Sequence, residues 1–391
     1  TIRVWDSSAQ KDISINTPNY YDLNHNPIDP PAFETNADYA VSLSQTTEEE
    51  DIIANDVVID FGSQYGIWVL MNNNSWAEIH SQSPISMIIG DIDGSGQDDI
   101  IIDFGTSGYD LSGIWLWMNN SAWVQLHTLS AESITTGDMD NNGQDDIIID
   151  FGSSYGIWVR MNNSALFQLH TISPESITTG DMDNNGQDEV IIDFGETYGI
   201  WVWMNNNAWD QLHSLSPESM TTGDIDGNGQ ADVIIDFGSL YGIWIRMNNY
   251  NWAKLHKVSP ESMITGDMDG NGQDEVIIDF GSPYGIWIRK NDNEWAKLHS
   301  ISPESMTTGD MDDNGQADVI IDFGSLYGIW VRMNNSGWVQ LHTISPESIV
   351  TGNIDGLPSL NHTDITTQEG PAELDNAAPL PDAGIIALPP K

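Results

Sequence analysis

Nine residues, Asp224-Ile-Asp-Gly-Asn-Gly-Gln-Ala-Asp232, carry the chemistry around which this chain is organised. Oxygen-bearing side chains stand at positions one, three, five and nine of the run (Asp224, Asp226, Asn228 and Asp232), and the backbone carbonyl of Gln230 at position seven adds another oxygen. A hard cation of calcium's size takes about six to eight oxygens, and alternate spacing along a tight loop is how a short segment supplies them. Gly229 at position six provides the freedom to take φ > 0 that the turn requires. Behind the loop runs Val233-Ile-Ile-Asp-Phe-Gly238, an apolar stretch that reads as a strand.

The same loop recurs in register. Complete copies supply Asp91, Asp93, Ser95, Gln97 and Asp99; Asp138, Asp140, Asn142, Gln144 and Asp146; and Asp181, Asp183, Asn185, Gln187 and Glu189. After the copy at Asp224 come Asp267, Asp269, Asn271, Gln273 and Glu275, then Asp310, Asp312, Asn314, Gln316 and Asp318. The pattern begins like an EF-hand loop, but position twelve is Ile235 where a bidentate Glu would stand, and the residues after the loop read as β rather than helix. A calcium loop within a β-hairpin is the better reading, repeated to give about six Ca2+ sites.

The rest of the composition narrows the setting. With 59 Asp plus Glu against 11 Lys plus Arg, the 391-residue chain carries a formal charge of −48. Six divalent ions would leave it near −36, so nucleic acid and anionic membrane surfaces, which need a cationic footprint, are poor partners. Cysteine is absent, so neither disulfides nor thiol chemistry contribute. No apolar run is long enough to span a bilayer. Loops of this kind saturate where calcium is abundant, and a chain beginning at Thr1 fits removal of a signal peptide. The expectation is a secreted or cell-surface protein.

The elements that position the loops follow from a second landmark. Asp-Phe-Gly recurs at Asp60, Asp103, Asp150, Asp193, Asp236, Asp279 and Asp322, at spacings of 43 except for one of 47 caused by four extra residues in the Thr106–Ser112 turn. A period in the low forties is the length of one four-stranded propeller blade. In the copy starting at Ser176, a Ser/Thr/Gly strand suits the crowded hub, and Val190-Ile-Ile-Asp-Phe194 reads as buried on both faces. Ile200-Trp-Val-Trp-Met204 and Trp209-Asp-Gln-Leu-His213 lie farther out, with an Asn-rich turn between them. The first copy lacks an inner strand, whereas Ser345–Gly352 is an inner strand with nothing matching after it. Joining the two predicts a seventh blade closed from both chain ends, with its own cation loop broken after Asn353 and Asp355. The fold class is therefore all-β: a seven-bladed β-propeller over residues 51–356, with an extended N-terminal arm at 1–50 and a Pro/Ala/Asp-rich tail at 357–391.

The Asp-x-Asp-x-Asn-Gly-x-x-Asp loop followed by an apolar strand resembles the FG-GAP/VCBS repeats, over roughly residues 56–355. Beyond the loop the match departs, since Asp-Phe-Gly stands where integrin repeats carry Gly-Ala-Pro. The resemblance implies the calcium-binding seven-bladed propeller of integrin α-chains and many secreted bacterial proteins. It does not fix a function, because such propellers serve adhesion, carbohydrate binding and surface assembly. A fungal lectin of this architecture binds sugars between blades.

Other residues repeat with the blades. Trp68, Trp115, Trp158, Trp201, Trp244, Trp287 and Trp330 follow Gly-Ile, and Trp76, Trp123, Trp209, Trp252, Trp295 and Trp338 precede a Leu-His or Ile-His pair by a few residues, with Leu166-Phe167 in the remaining copy. These rings either stack on sugars, making a multivalent surface, or pack between blades. His80, His127, His170, His213, His256, His299 and His342 lie too far apart around a disc to share a metal and read as structural. Asn73, Asn119, Asn162, Asn334 and Asn361 head Asn-x-Ser/Thr sequons, four of them in one recurring turn: glycan acceptors in a eukaryotic secreted protein, turn formers in a bacterium. No nucleophile–His–Asp group breaks the repeat, and Arg160, Arg246, Arg289 and Arg332 are blade-equivalent rather than clustered, so nothing points to an enzyme. Near-identical blades and two non-repeat ends favour a structural or adhesive surface protein, a filament subunit joined to other copies of itself through its arms. The alternative is a multivalent lectin with Trp-lined pockets between blades.

Overall fold

The structure, a computed structural model, describes residues 55–356 apart from 74, 107–110, 163, 249, 292 and 335, together with the backbone of four short strands nearer the N-terminus. The chain divides into two compact units, Thr1–Asp51 and Ile52–Lys391. In the first, Ile2–Asp6 pairs antiparallel with Lys11–Ile15, and Tyr20–Tyr21 with Pro27–Ile28. The region expected to be an extended arm thus contains two short ladders. The tail at 357–391, including Asn361, lies outside the described residues.

In the second unit, seven four-stranded antiparallel sheets form the propeller. Numbered by Asp-Phe-Gly order, blade 5 shows the plan: inner strand Ser219–Gly223, second Asp232–Asp236, third Ile243–Met247 and outer Asn251–His256. The second strand has three β-branched residues at its centre and is buried at every position because neighbouring blades cover both of its faces. Seven apolar clusters result, each joining a blade to the next. In one, Ile200, Val202 and Leu212 of blade 4 meet Val233, Ile235, Phe237 and Trp244 of blade 5. The core is therefore a set of inter-blade layers, and no blade can bury its apolar faces alone.

Blade 1 closes the ring as expected. Ser348–Gly352 supplies its inner strand and pairs with Asp56–Asp60 in the register Ser348↔Asp60 to Gly352↔Asp56, matching Ser219↔Asp236 to Gly223↔Asp232 in blade 5. At the hub, six threonine hydroxyls each donate to a carbonyl of the preceding blade, from Thr136 to Ile89 at 3.0 Å through Thr351 to Thr308 at 2.7 Å. Ile89 has no hydroxyl to donate onward, so the junction between blades 1 and 2 lacks this link.

The Asp of Asp-Phe-Gly fastens successive blades. Asp236 accepts the Gly238 N–H on Oδ1 at 3.0 Å and the Ser259 hydroxyl on Oδ2 at 2.5 Å, tying its hairpin to the segment that leads to blade 6. All seven blades repeat the hydroxyl bond. Burial pushes Asp236 up to about 6, against the two hydrogen bonds and with the help of nearby Glu218.

Candidate metal loops and inter-blade clefts

The loop between inner and second strands is shaped by its first residue. Asp224 accepts the N–H groups of Gly227 and Asn228 on Oδ1, at 2.8 and 3.1 Å, and that of Gly229 on Oδ2 at 2.7 Å. Gly227 and Gly229 take φ of 70° and 81°, which coils the backbone around the carboxylate. Asp232, buried at the start of the second strand, accepts from Ile225 N–H at 3.2 Å. Oxygens of Asp224, Asp226 and Asp232 lie within 4.8 Å of one another. Burial, reinforced by Asp226 and Asp224, pushes Asp232 up to about 6.

Whether these residues fit a cation is tested by their unmet oxygens. Oδ1 of Asp226, Asp140 and Asp312 and Oε1 of Glu275 are buried without a hydrogen-bond partner. Each belongs to such a triad, and Glu275 is only 3% exposed. Buried carboxylate oxygens facing other carboxylates are costly unless a cation satisfies them, so the donor set fits a hard divalent ion. Five loops bring their acids together in this way: the triads that include Asp138, Asp181, Asp224, Asp267 and Asp310. Asp91, Asp93 and Asp99, where Ser95 replaces Asn at position five, do not meet the same limit. There the Ser95 N–H binds Asp91 and Asp93 at 3.0 and 3.1 Å.

One donor escaped the sequence reading. The Asn-rich turn between third and outer strands sends an amide into the loop: Asn248 donates from Nδ2 to Asp226 at 2.7 Å and from its backbone N–H to Asp232 at 2.9 Å. Asn119, Asn162, Asn205 and Asn334 do the same in their blades. These asparagines adopt φ near +50°, for example 46° at Asn119 and 49° at Asn248, the left-handed region that Asn tolerates best among residues with a side chain. The constant offset from the loop was visible, but it read only as a turn. Three sequon asparagines, Asn119, Asn162 and Asn334, thus use the nitrogen a glycan would need, and Asn73 donates its own to the carbonyl of Met311.

The seam loop corrects an expectation. It is split rather than broken, because the two chain ends complete it. Asp56 takes position nine and accepts the N–H groups of Ile354 and Asp355 at 3.0 and 3.2 Å, and Asn72 bridges Asp56 and Asp355 as Asn248 bridges Asp232 and Asp226. Asn353 stands where the other loops place their first Asp, leaving two carboxylates in place of three. Each loop is also bound to the next: the N–H of Asp274 reaches the carbonyl of Asp224 at 2.8 Å, and equivalent bonds run unbroken through all seven junctions.

Away from the loops, each blade interface packs aromatic rings from the two blades together. His342 of blade 7 packs on Phe61 and Trp76 of blade 1 with ring centroids 4.6 and 5.7 Å apart, and its Nδ1 accepts the Ile344 N–H at 3.1 Å. Six interfaces carry this His–Phe–Trp trio; at the seventh, His127 meets Phe151 alone, with Leu166 in the Trp place. All seven His accept the N–H two residues on through Nδ1, which makes them structural. Trp115, Trp201, Trp244, Trp287 and Trp330 of the Gly-Ile-Trp set join the inter-blade clusters, with Trp244 and Trp330 6% and 8% exposed, and all seven donate the indole N–H to a nearby backbone carbonyl, as Trp68 does to Tyr65 at 2.8 Å. The cleft between blades 7 and 1 opens into a cavity of ≈ 230 Å³ lined by Phe61, Tyr65, Trp68, Trp76, His342 and Ile344. A second cavity of ≈ 340 Å³, between blades 5 and 6, is lined by Asp226, Gln273, Arg289, Asn291 and Asn293 with several apolar residues.

The blades are also less alike than their sequence spacing implied. The Trp of Gly-Ile-Trp pairs across to the outer strand with Glu78, Gln125, Gln168, Gln211, Lys254, Lys297 and Gln340 in blades 1 to 7. The glutamines bond a turn carbonyl, as Gln168 does with Tyr155 at 2.7 Å. The lysines instead place Nζ 5.5 Å from the Trp244 ring centre and 5.9 Å from that of Trp287.

No protein-family model matches the chain, and no curated protein does. Among solved structures, the chain is similar to an Agrocybe aegerita lectin that recognises non-reducing terminal N-acetylglucosamine. The two share 17% identity with a TM-score of 0.59, over 78% of this chain and 98% of the lectin. Weaker likenesses carry no argument. One is a Bacillus licheniformis rhamnogalacturonan lyase, at 13% identity and TM-score 0.37, covering 70% of this chain and 64% of the lyase. Another is an auxiliary nutrient-binding protein of Bacteroides ovatus, at 10% and 0.40, covering 68% and 76%. At these identities the comparison speaks to the seven-bladed fold alone. Among the described residues no helix is long and apolar enough to cross a membrane.

Proposed function

We propose that this protein is a multivalent carbohydrate-binding propeller, secreted into a calcium-rich medium and stabilised by calcium in its acidic loops. The observation that carries the reading is the aromatic cluster repeated between blades, which between blades 7 and 1 opens into a cavity of ≈ 230 Å³ with Tyr65 45% exposed at its edge. Apolar walls with a few polar groups are what a sugar face requires, and repetition turns weak single sites into avidity. Likeness to a sugar-specific lectin over nearly the whole of that lectin supports the same reading. Calcium is favoured by the all-oxygen donor set and by the buried oxygens left without partners.

A glycan array probed with calcium-loaded protein should retain at least one class of glycan, and titration with that glycan should give more than one site per chain. Absence of any retained glycan would refute the proposal. The filament reading rests on arms that fall mostly outside the described residues. Electron microscopy showing filaments that dissolve when residues 1–50 or 357–391 are removed would restore it.

A further inference from the structure

The seven blades are internal copies, so each serves as a control for the others. In blade 5 the protein lays its own cations on both cleft tryptophans: Lys254 Nζ over Trp244 at 5.5 Å and Arg246 over Trp252 at 5.3 Å. Lys254 Nζ has no hydrogen-bond partner, so the indole face is what receives it. Blade 6 repeats the lysine, with Lys297 over Trp287 at 5.9 Å. These distances fall within the roughly 6 Å over which an aromatic face attracts a cation.

Blade 1 reverses both choices. Trp68 pairs with Glu78 where Trp244 pairs with Lys254, and Leu70 pairs with Trp76 where Arg246 pairs with Trp252. Blade 1 therefore has two cleft indoles with no resident cation and an exposed carboxylate beside one of them. Gln occupies the Glu78 place in blades 2, 3, 4 and 7, so only here is the position negative. This is also the interface that opens into the aromatic cavity, and no lysine or arginine lines it.

We propose that the cleft between blades 7 and 1 binds a protonated amine carried on a sugar-sized frame, with the ammonium over the Trp68 and Trp76 rings and drawn in by Glu78. The frame rests on the carbohydrate reading; recognition of the amine does not. The ligand class is an amino sugar with a free amine, as distinct from its N-acetylated or neutral counterpart.

The test is calorimetric titration of the calcium-loaded full chain with glucosamine, N-acetylglucosamine and tetramethylammonium at physiological salt. Glucosamine should bind at one site per chain and about five- to tenfold more tightly than N-acetylglucosamine there. Glu78→Lys, which installs the residue blade 5 uses, should abolish that site. Glu78→Gln should weaken it about fivefold, and Asp210→Asn, an exposed carboxylate in blade 4, should leave it unchanged. Equal affinity for glucosamine and N-acetylglucosamine, an undiminished site in Glu78→Lys, or equal weakening by Asp210→Asn would overturn the proposal. If tetramethylammonium binds with the same dependence on Glu78 while no sugar does, the amine site stands and the carbohydrate reading falls. If every sugar binds regardless of charge, the carbohydrate reading stands and the amine site falls.

Discussion

Blades 1 and 5 follow one plan and are joined by different means. Blade 5 runs covalently from inner strand to second strand through the loop Asp224–Asp232, whereas in blade 1 two separate chain segments pair as those strands and their loop is held by Asp56 accepting the N–H groups of Ile354 and Asp355. Both keep the five-pair register, the aspartate-to-serine fastening and the loop-to-loop bond. What differs is the number of clustered carboxylates and the covalent path between strands. Blade geometry is therefore set by pairing and by inter-blade packing. That outline does not require a third clustered carboxylate, since blade 1 keeps it with two.

The comparison breaks most completely if the seam strand is removed. Truncation after Glu347 leaves Asp56–Asp60, with its apolar centre Val57-Val58-Ile59, as an open edge and should abolish the cooperative thermal transition seen by calorimetry. Chelation comes next. Each loop held at a hundred times its dissociation constant adds about 2.7 kcal/mol, so EGTA should lower Tm by more than any single loop substitution, and added calcium should restore it. An unchanged melt would refute metal stabilisation.

The pH dependence of the cation-free protein sharpens the picture further. Burial first, and neighbouring loop acids second, push Glu189, Glu275 and Asp318 up to about 7 and Asp99 and Asp146 up to about 6, against backbone hydrogen bonds. A carboxyl raised in the folded state binds its proton more tightly there than when unfolded. Its contribution is thus fully present near pH 4 and is lost as pH rises through 6 to 7. Thermal scans in chelator should show Tm rising as pH falls from 7 towards 5, and saturating calcium should flatten that slope.

Single substitutions separate the two blades directly. Asp232→Asn should reduce calcium bound per chain by one, measured by equilibrium dialysis, while Asp56→Asn should leave the count unchanged. The smallest expected effect is at the hub: Thr308→Val should cost about 1 kcal/mol in denaturant unfolding. Ile89→Thr, which offers the absent hydroxyl at the blade 1–2 junction, should be neutral or slightly stabilising.

Much of this was legible in the sequence. Blade number, closure and the loops were readable because both the 43-residue period and the Asp-x-Asp-x-Asn-Gly pattern are local in the chain. Contacts between distant segments were not. Asn248 reaches Asp226 across 22 residues, and its role was hidden behind the turn chemistry that also selects Asn. Asp56 completes the seam loop from 298 residues away, at the start of the first repeat, where no local pattern ties it to Asn353 and Asp355. The change from Lys254 to Glu78 was in plain view, but it gained meaning only once register set each beside a tryptophan.

The register of the seam has a mechanical consequence. Gly352 and Asp56 face each other at one end of the ladder, and just beyond them Ile354 and Asp355 are bound to Asp56 and Asn55 to Asp310. A load pulling the two chain ends apart would act first on those bonds, then on Gly352↔Asp56 and Thr351↔Val57, unzipping the strands in sequence instead of shearing all five pairs together. Stretched between both ends, the disc yields at the seam.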